Sequence, residues 1–254
     1  MACVETAAAM NVTSTAIRAL PTPRPYPECV ATLHLLRVFC DEDGSGGNSL
    51  GVFLDGRSVA SDVRQRVAAE LGLSETVFVD DAARGSIRIF TPAVELDFAG
   101  HPSVGTAWLL AQHRAPVEML RPPAGDAAVR YEGGAAFVAG RPEWGPPWEF
   151  EQLGSEAEVD ALSGPPSGHD LIGAWTWLDE EAGTVRARVF GPRIGIAEDE
   201  ATGSAAVRLC TLIGRPLDIR QGRASRILAR PLRDGWVEIG GRSVLDETVD
   251  HPLP

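Results

Sequence analysis

Glu-Asp-Glu-Ala-Thr-Gly-Ser-Ala-Ala, residues 198–206, leads directly into an apolar run that ends at Ile213. Asp199 and Ser204 are residue types that cap helices, and Gly203 leaves the backbone N–H groups of a first helical turn uncovered. Unpaired N–H groups and the positive end of the helix dipole meet at such a turn, so it can hold a small anion. The sequence therefore predicts a helix over 205–213 that begins at an anion-binding turn.

A second turn of similar design lies about a hundred residues earlier, in Phe98-Ala-Gly-His-Pro-Ser-Val-Gly105. There Gly100-His101-Pro102 opens a helical pattern that runs from Ser103 to His113. One of the two turns carries a His and the other an Asp and a Ser. We expect these two helix starts to converge on one carboxylate substrate.

The two halves of the chain resemble each other beyond these turns. Arg88-Ile-Phe-Thr-Pro92 recurs as Arg188-Val-Phe-Gly-Pro192. Each copy ends a strand-like segment (86–90 and 184–190) rich in β-branched and aromatic residues. A short loop, a Gly-containing turn and a helix follow each copy. This order predicts a tandem duplication of one α+β unit, with a cleft between the copies.

The composition excludes several classes of function. The chain has 254 residues, 44% of them hydrophobic, and a net charge of −12, which argues against a nucleic-acid partner. No apolar run approaches the roughly 20 residues of a membrane span, and the N-terminus lacks the pattern of a secretory signal. The four cysteines, Cys3, Cys29, Cys40 and Cys210, show no metal-binding spacing, so we expect a cytoplasmic protein.

All 23 basic residues are Arg, and the chain contains no Lys. This excludes a Schiff-base lysine and a Walker A lysine. No dinucleotide-binding motif, zinc motif or serine-hydrolase elbow occurs in the sequence. We therefore predict an activity that needs neither metal nor organic cofactor.

The first half is predicted to begin with a flexible extension, residues 1–32, followed by strands at Leu33–Cys40 and Leu50–Leu54. Valines at every fourth position predict an amphipathic helix over Val59–Leu71 that ends at Gly72. The acidic loop 41–48 between the two strands could be a calcium site or a turn. It lacks the EF-hand spacing, which favours a turn.

The second half is predicted to open with a strand at Ala135–Val138, and the Pro/Trp-rich segment 141–148 to be an ordered loop that packs its indoles. A short helix is expected at Ser155–Leu162, and a hairpin of strands 173–179 and 184–190 after it. Strands at Arg226–Arg230 and Trp236–Ile239 close the sheet. Glu75 lies at the mouth of a strand that starts near Ser74, a position typical of a solvated edge residue.

Four motifs occur in an order that resembles the phenazine-biosynthesis PhzF-like family. They are Gly46-Gly47-Asn48, Ser74-Glu75-Thr76, Phe90-Thr-Pro92 with Phe98-Ala-Gly-His-Pro102, and the 198–206 stretch. The resemblance covers residues 33 to about 240 and implies the α+β fold of diaminopimelate epimerase. In that fold, two similar domains (here 33–132 and 133–254) each form a curved, mostly antiparallel sheet around a central helix, with the active site between them.

The resemblance also implies residue roles. Glu75 would be the catalytic acid/base, with His101 and Asp199 beside it. Asn48 and Ser204 would contact the substrate, and the amides near Gly100 and Gly203 would hold its carboxylate. The family further implies a homodimer and a small carboxylate-bearing substrate, cyclic or conjugated, without nucleic-acid or membrane partners.

Two departures and several alternatives accompany this interpretation. Glu200 stands where relatives usually have Pro, and the N-terminal extension (1–32) has no recognised counterpart. In the wider fold, Ala99 and Thr202 occupy the positions of the paired cysteines used by two-base epimerases. Cys210 is expected in the core. Asp199 and Ser204 could be capping residues only, and His101 could merely hold its loop. The chain is thus predicted to be a cofactor-independent isomerase in which burial raises the pKa of Glu75, or else a non-catalytic binding module on the same fold.

Overall fold

A computed structural model describes residues 30–254; residues 1–29 of the predicted extension (1–32), with Cys3 and Cys29, lie outside the described residues. Its helices are α1 Arg64–Leu71, α2 Gly100–His113, α3 Glu156–Asp160 and α4 Gly203–Ile213. The strands of the first half are β1 Val30–Cys40, β2 Gly46–Phe53, β3 Glu75–Asp81, β4 Ser86–Phe90, β5 Glu95–Leu96, β6 Met119–Leu120, β7 Ala127–Glu132 and β8 Ala135–Gly140. Those of the second half are β9 Glu149–Gln152, β10 Ile172–Asp179, β11 Thr184–Gly191, β12 Ile196–Asp199, β13 Leu217–Gln221, β14 Ser225–Pro231 and β15 Val237–Pro252.

The order of strand pairings is the same in the two halves. β2 runs parallel to β3, which is antiparallel to β4, and β9, β10 and β11 repeat this arrangement. After each central helix the chain returns parallel to the same strand, as the Ser86–Arg121 bridge in the first half and as the β11–β13 pair in the second. Two antiparallel pairs then follow in each half. The architecture is the predicted duplicated α+β fold.

The repeated Arg-x-Phe-x-Pro motif has the same local role in both copies. Arg88 on β4 binds Glu95 on β5. Arg188 on β11 binds both carboxylate oxygens of Glu198 on β12, at 2.7 and 2.6 Å. In each half this ion pair fastens the short strand that leads into the central helix.

The central helix α2 is almost wholly enclosed, with ten of its 14 residues buried. Gly105 allows this, because a Cβ there would lie 2.6 Å from side-chain atoms of Val38 and Leu50. The helix therefore packs closely on β1 and β2. β1 also pairs with β15, which in turn pairs with β8 and β14, so one hydrogen-bonded sheet joins the two halves.

Several boundaries differ from the sequence prediction. The strand predicted at Ala135–Val138 to open the second half is β8 (Ala135–Gly140), but it pairs with β7 and completes the strand pairings of the first half. β1 begins at Val30, so residues 30–32 belong to this strand and pair with the end of β15. α1 is shorter than predicted and starts at Arg64, whose guanidinium is buried and bonds Val59 O, Gly56 O and Asp80. The helix ends at Gly72, as predicted, with φ of 62°.

The closing strand β15 has 16 residues and is much longer than the predicted Trp236–Ile239. The acidic loop before β2 is a turn whose carboxylates bind protein groups. Asp41 pairs with Arg220, Glu42 pairs with Arg226, and Asp43 accepts from Ser45 N. The interpretation as a turn is thus the one that the contacts favour.

Candidate active site

The starts of α2 and α4 meet at their first glycines. A Cβ on Gly100 would lie 2.7 Å from Gly203 Cα, and a Cβ on Gly203 would lie 2.7 Å from Gly100 Cα. Only residues without a side chain permit this approach. The prediction that the two helix starts converge is confirmed.

Glu75 and His101 form a buried acid–base pair at the start of α2. Glu75 is the first residue of β3 and His101 the second residue of α2, and they are 8% and 4% exposed. Glu75 Oε2 lies 2.9 Å from His101 Nε2. Neither atom has a well-aligned hydrogen-bond partner among residues 30–254. The two groups are in charge contact, and both atoms remain available to hydrogen-bond a ligand. Because Glu75 is buried, it is not a solvated edge residue.

The pKa values of this pair move in opposite directions. Burial acts to raise the pKa of Glu75, but the His101 charge and contact outweigh it and hold the pKa below its usual value. Burial acts to lower the pKa of His101, but Glu75, Asp199 and the Ser49 backbone raise it. The prediction of a raised pKa for Glu75 is therefore wrong, because the imidazole beside it compensates for burial. An ionised carboxylate next to an imidazolium is the favoured state.

Asp199 lies at the end of β12 inside a hydrogen-bond network. Asn48 Nδ2 donates to Asp199 Oδ1 at 2.6 Å and to Ala201 O at 3.1 Å. Thr202 Oγ1 donates to Asp199 Oδ2 at 2.7 Å. Gln221 Nε2 donates to Asp199 O and to Thr202 Oγ1, both at 2.9 Å. The network fixes the carboxyl group and joins β2 of the first half to the turn of the second.

Burial, with a smaller contribution from the Glu75 charge, raises the pKa of Asp199 to about 6. The His101 charge and the hydrogen bonds from Thr202 and Asn48 oppose this shift. The carboxyl of the site whose pKa is raised is thus Asp199, and the three titratable groups influence one another's charge.

Ser204 is the second residue of α4 and is held from outside its helix. Trp148 Nε1 donates to Ser204 Oγ at 3.0 Å. The helix N-cap is Thr202, which makes no side-chain capping bond. Asp199 bonds side chains in preference to the N-terminal amides. The alternative that Asp199 and Ser204 serve as helix caps is therefore wrong.

Backbone donors at the start of α4 are available for a ligand. In the described part of the chain, the N–H groups of Gly203, Ser204 and Ala205 have no hydrogen-bond acceptor, and the first α4 bond is Ala206 N to Thr202 O. Such N–H groups, together with the helix dipole, suit a carboxylate. They lie beside the Gly100–Gly203 contact, and therefore beside His101.

The sequence model of the family described as "Phenazine biosynthesis-like protein" matches residues 36–136. The trans-2,3-dihydro-3-hydroxyanthranilate isomerase of Pseudomonas fluorescens is 31% identical over 240 residues, covering 78% of this chain and 84% of that protein. The chain belongs to the PhzF family. It is an isomerase, as the named relatives of this family are.

Solved structures of the PhzF family share this fold. A PhzF-family protein of Enterococcus faecalis superposes with a TM-score of 0.72 at 20% identity, over 88% of this chain and 100% of that one. A hydroxyproline epimerase of Agrobacterium vitis superposes with a TM-score of 0.55 at 12% identity, over 88% and 91% of the two chains. At these identities the likeness concerns the fold alone. Among residues 30–254, no helix combines the length and the apolar character required to cross a membrane.

Three residues that differ from those of epimerases or of PhzF relatives, Ala99, Thr202 and Glu200, have defined places in the structure. Ala99 and Thr202 are the N-caps of α2 and α4, so the site has no thiols at the two helix starts. Cys210 is fully buried, as predicted, and burial raises its pKa to about 12. Glu200 Oε1 accepts from Arg223 N, Ala224 N and Ser225 Oγ. Its carboxylate thus closes the turn between β13 and β14.

The sequence analysis did not predict three residues of this site. Thr202 donates a hydrogen bond to Asp199, Gln221 bonds the Asp199 carbonyl and Thr202, and Trp148 donates to Ser204. Gln221 gives no sequence signal, because it reaches the site through strand pairing. Trp148 had a partial signal, since the Pro/Trp-rich segment was predicted to pack its indoles.

Proposed function

We propose that this PhzF-family isomerase moves a proton along a cyclic, conjugated carboxylate by means of one acid/base, Glu75, without a cofactor. The P. fluorescens relative is named for trans-2,3-dihydro-3-hydroxyanthranilate, an unsaturated ring that bears a carboxylate. That compound is the first candidate substrate for this chain.

The observation that carries the proposal is the contact of Glu75 and His101. Both groups are buried, they lie 2.9 Å apart, and neither has a well-aligned partner in the described residues. His101 lowers the pKa of Glu75, so the carboxylate is ionised near neutral pH and can act as a base.

The reaction needs two proton transfers on one carboxyl group. Glu75 takes a proton from a ring carbon, and the C–H electron pair delocalises into the conjugated system and its carboxylate. Protonated Glu75 then returns the proton to another ring carbon, which restores the charge of Glu75 and the neutrality of the ring. The imidazolium of His101 and the N–H groups at the start of α4 would stabilise the charge that develops between the two steps.

Asp199 is proposed to orient the substrate. Each of its carboxylate oxygens accepts one hydrogen bond, from Asn48 or from Thr202. Each oxygen has a further lone pair for an amino or hydroxyl group of the substrate. Its fixed position is consistent with orientation, while the proton is carried by Glu75.

Cofactor independence is supported by the sequence, which has no Lys for a Schiff base and no dinucleotide-binding motif. Purified protein should keep its turnover in a chelator. Loss of turnover in the chelator, restored by one metal, would contradict this part of the proposal.

The homodimer and the cytoplasmic location remain predictions from the resemblance and the sequence. Light scattering tests whether the protein is a dimer.

The experiment follows the label. Candidate cyclic carboxylates are first ranked by thermal shift, because a ligand that binds only the native state raises its Tm. The candidate substrate is then deuterated at its saturated ring carbons and converted in H₂O. We expect partial transfer of deuterium to the acceptor carbon, with the remainder lost to water from protonated Glu75.

Glu75→Gln is the control for this assignment. It keeps the size and polarity of the side chain, so it should bind ligand almost normally but turn over at least about a hundredfold more slowly. Near-normal turnover would remove Glu75 from this role and make Asp199 or His101 the base to test. Binding of the ranked compounds with no turnover of any of them would favour the non-catalytic alternative.

A further inference from the structure

The loop 141–148 contacts Ser204 from two sides. Trp148 Nε1 donates to Ser204 Oγ at 3.0 Å. A Cβ on Gly145 would lie 2.7 Å from Ser204 Cβ, so the Gly145 backbone packs directly against that side chain. The rotamer of Ser204 is therefore fixed by a loop that lies outside α4.

Two other hydroxyl residues in the central helices show what Ser204 would otherwise do. Ser103 Oγ in α2 donates to Ala99 O at 2.7 Å, and Thr211 Oγ1 in α4 donates to Val207 O at 2.9 Å. Both bonds return to the carbonyl four residues earlier, which is the usual local bond of a helical Ser or Thr. Ser204 donates no hydrogen bond within residues 30–254 and only accepts one, from Trp148.

A hydroxyl that accepts from Trp148 keeps its own hydrogen to donate. Ser204 is partly exposed, and beside it are the N–H groups of Gly203, Ser204 and Ala205, which have no acceptor in the described residues. A carboxylate at these amides would accept the hydroxyl hydrogen as a charge-assisted bond. The indole of Trp148 packs with Leu171, Val189 and Ala205, so its N–H is held in place.

We infer that Trp148 is a positioning residue for substrate binding: its indole N–H, together with the Gly145 backbone, orients the Ser204 hydroxyl toward the substrate carboxylate. This inference rests on the proposed function, in which the start of α4 holds that carboxylate. Trp148 does not touch the substrate itself, and its effect is on binding and not on the proton transfer.

The test is a double-mutant cycle with Trp148→Phe, Ser204→Ala and the two together. Phe keeps most of the ring and removes the N–H. We expect each single variant to raise KM for the candidate substrate about five- to tenfold, with kcat changed less than about twofold. The double variant should be no worse than Ser204→Ala, because Trp148 acts only through Ser204.

Two further variants separate positioning from general damage. Trp144→Phe removes an indole N–H from the same loop, but Trp144 packs its ring on Phe98 and Trp236 and its N–H makes no hydrogen bond to Ser204, so KM should hold. Gly145→Ala is free of backbone strain, because φ of −112° and ψ of 175° suit any residue. Its methyl group would displace Ser204, so KM should rise.

A second measurement does not depend on turnover. Anthranilate, the aromatic parent ring, has no proton to move, and calorimetry gives its Kd for the same variants and for Glu75→Gln. Weaker binding by Trp148→Phe supports the inference even if Glu75→Gln proves active. An active Glu75→Gln variant would contradict only the assignment of Glu75 as the base. Equal Kd and KM across the cycle, a fall in Tm without a change in KM, or no anthranilate binding by the unaltered protein would each overturn it.

Discussion

The starts of α2 and α4 are equivalent positions in the two repeats, yet they present different chemistry. α2 begins Gly100-His101, and its second residue contacts the buried Glu75 without a well-aligned hydrogen bond. α4 begins Gly203-Ser204, where the side chains around Asp199 and Ser204 are joined by hydrogen bonds. In the proposed function, the first turn would move the proton and the second would hold the substrate. The two repeats carry equivalent turns with different side chains, and the proposed function divides proton transfer and substrate binding between them.

The largest expected effect comes from disrupting the contact between the two turns. Gly203→Ala places a methyl group 2.7 Å from Gly100 Cα, so the helix starts must move apart. We expect kcat/KM to fall about a hundredfold, the effect of misplacing reacting groups by about 1 Å. Steady-state kinetics measure this.

Gly164→Ala is the matched control, because a Cβ there meets nothing within 4 Å. If Gly203→Ala kept normal kinetics, the two turns would not have to touch for activity. The division of work between them would then need another explanation.

The role of the α2 turn is tested by His101→Gln. Loss of the imidazolium leaves burial to act on Glu75 alone, so the pKa of Glu75 should rise. Since the base must be ionised, the acid limb of the kcat/KM–pH profile should move to higher pH. Activity should fall about tenfold above that limb and further below it.

The pH profile of His101→Gln is compared with that of the unaltered enzyme over the same buffers. An acid limb that stayed in place would show that Glu75 is not the titrating base. A limb that moved to lower pH would contradict the charge contact itself.

The smallest expected effect is a change in stability when Asp199, which lies just before the α4 turn, is replaced. The pKa of Asp199 is about 6 in the folded protein, above its unfolded value of about 3.9, so its contribution to stability falls as pH rises through this window. Asp199→Asn cannot titrate, so its stability does not contain this decrease with rising pH. A shift of about two pKa units corresponds to about 2–3 kcal/mol, so we expect its Tm relative to the unaltered protein to be about 5–10 °C more favourable at pH 8 than at pH 4.

Thermal melts at the two pH values give this difference directly. Asn48→Ala should act in the opposite sense, because it removes a bond that lowers the pKa of Asp199. A Tm difference that did not depend on pH would mean that Asp199 is not held above its usual pKa.

Local patterns predicted the elements that position the site. The turns at Gly100 and Gly203, the motif strands β4 and β11, and the hairpin around 180–183 depend on nearby residues, and the structure confirms them. The helix at Val59–Leu71 was overpredicted. Its valine spacing is helical, but Arg64 turns inward to bind Asp80, and the chain before it forms turns.

The electrostatics of the site could not be predicted from local patterns. The pKa of Glu75 depends on His101, which is 26 residues away, and that of Asp199 on Asn48 in the other half. Whether burial or a partner prevails is settled by distances of 2.6–2.9 Å that only the folded chain defines. The length of β15 also escaped prediction, because its pairing with β1 joins the two ends of the described chain.

The Gly100–Gly203 contact also bears on ancestry. Its distances are reciprocal: the Cβ of each glycine would lie 2.7 Å from the Cα and 3.0 Å from the carbonyl carbon of the other. Residues that meet their own counterparts in this way lie on the twofold axis that relates the repeats, as in an isologous dimer interface. A single-repeat ancestor would have built this cleft by pairing with itself, with two identical turns. In a single chain, by contrast, each turn can change without changing the other.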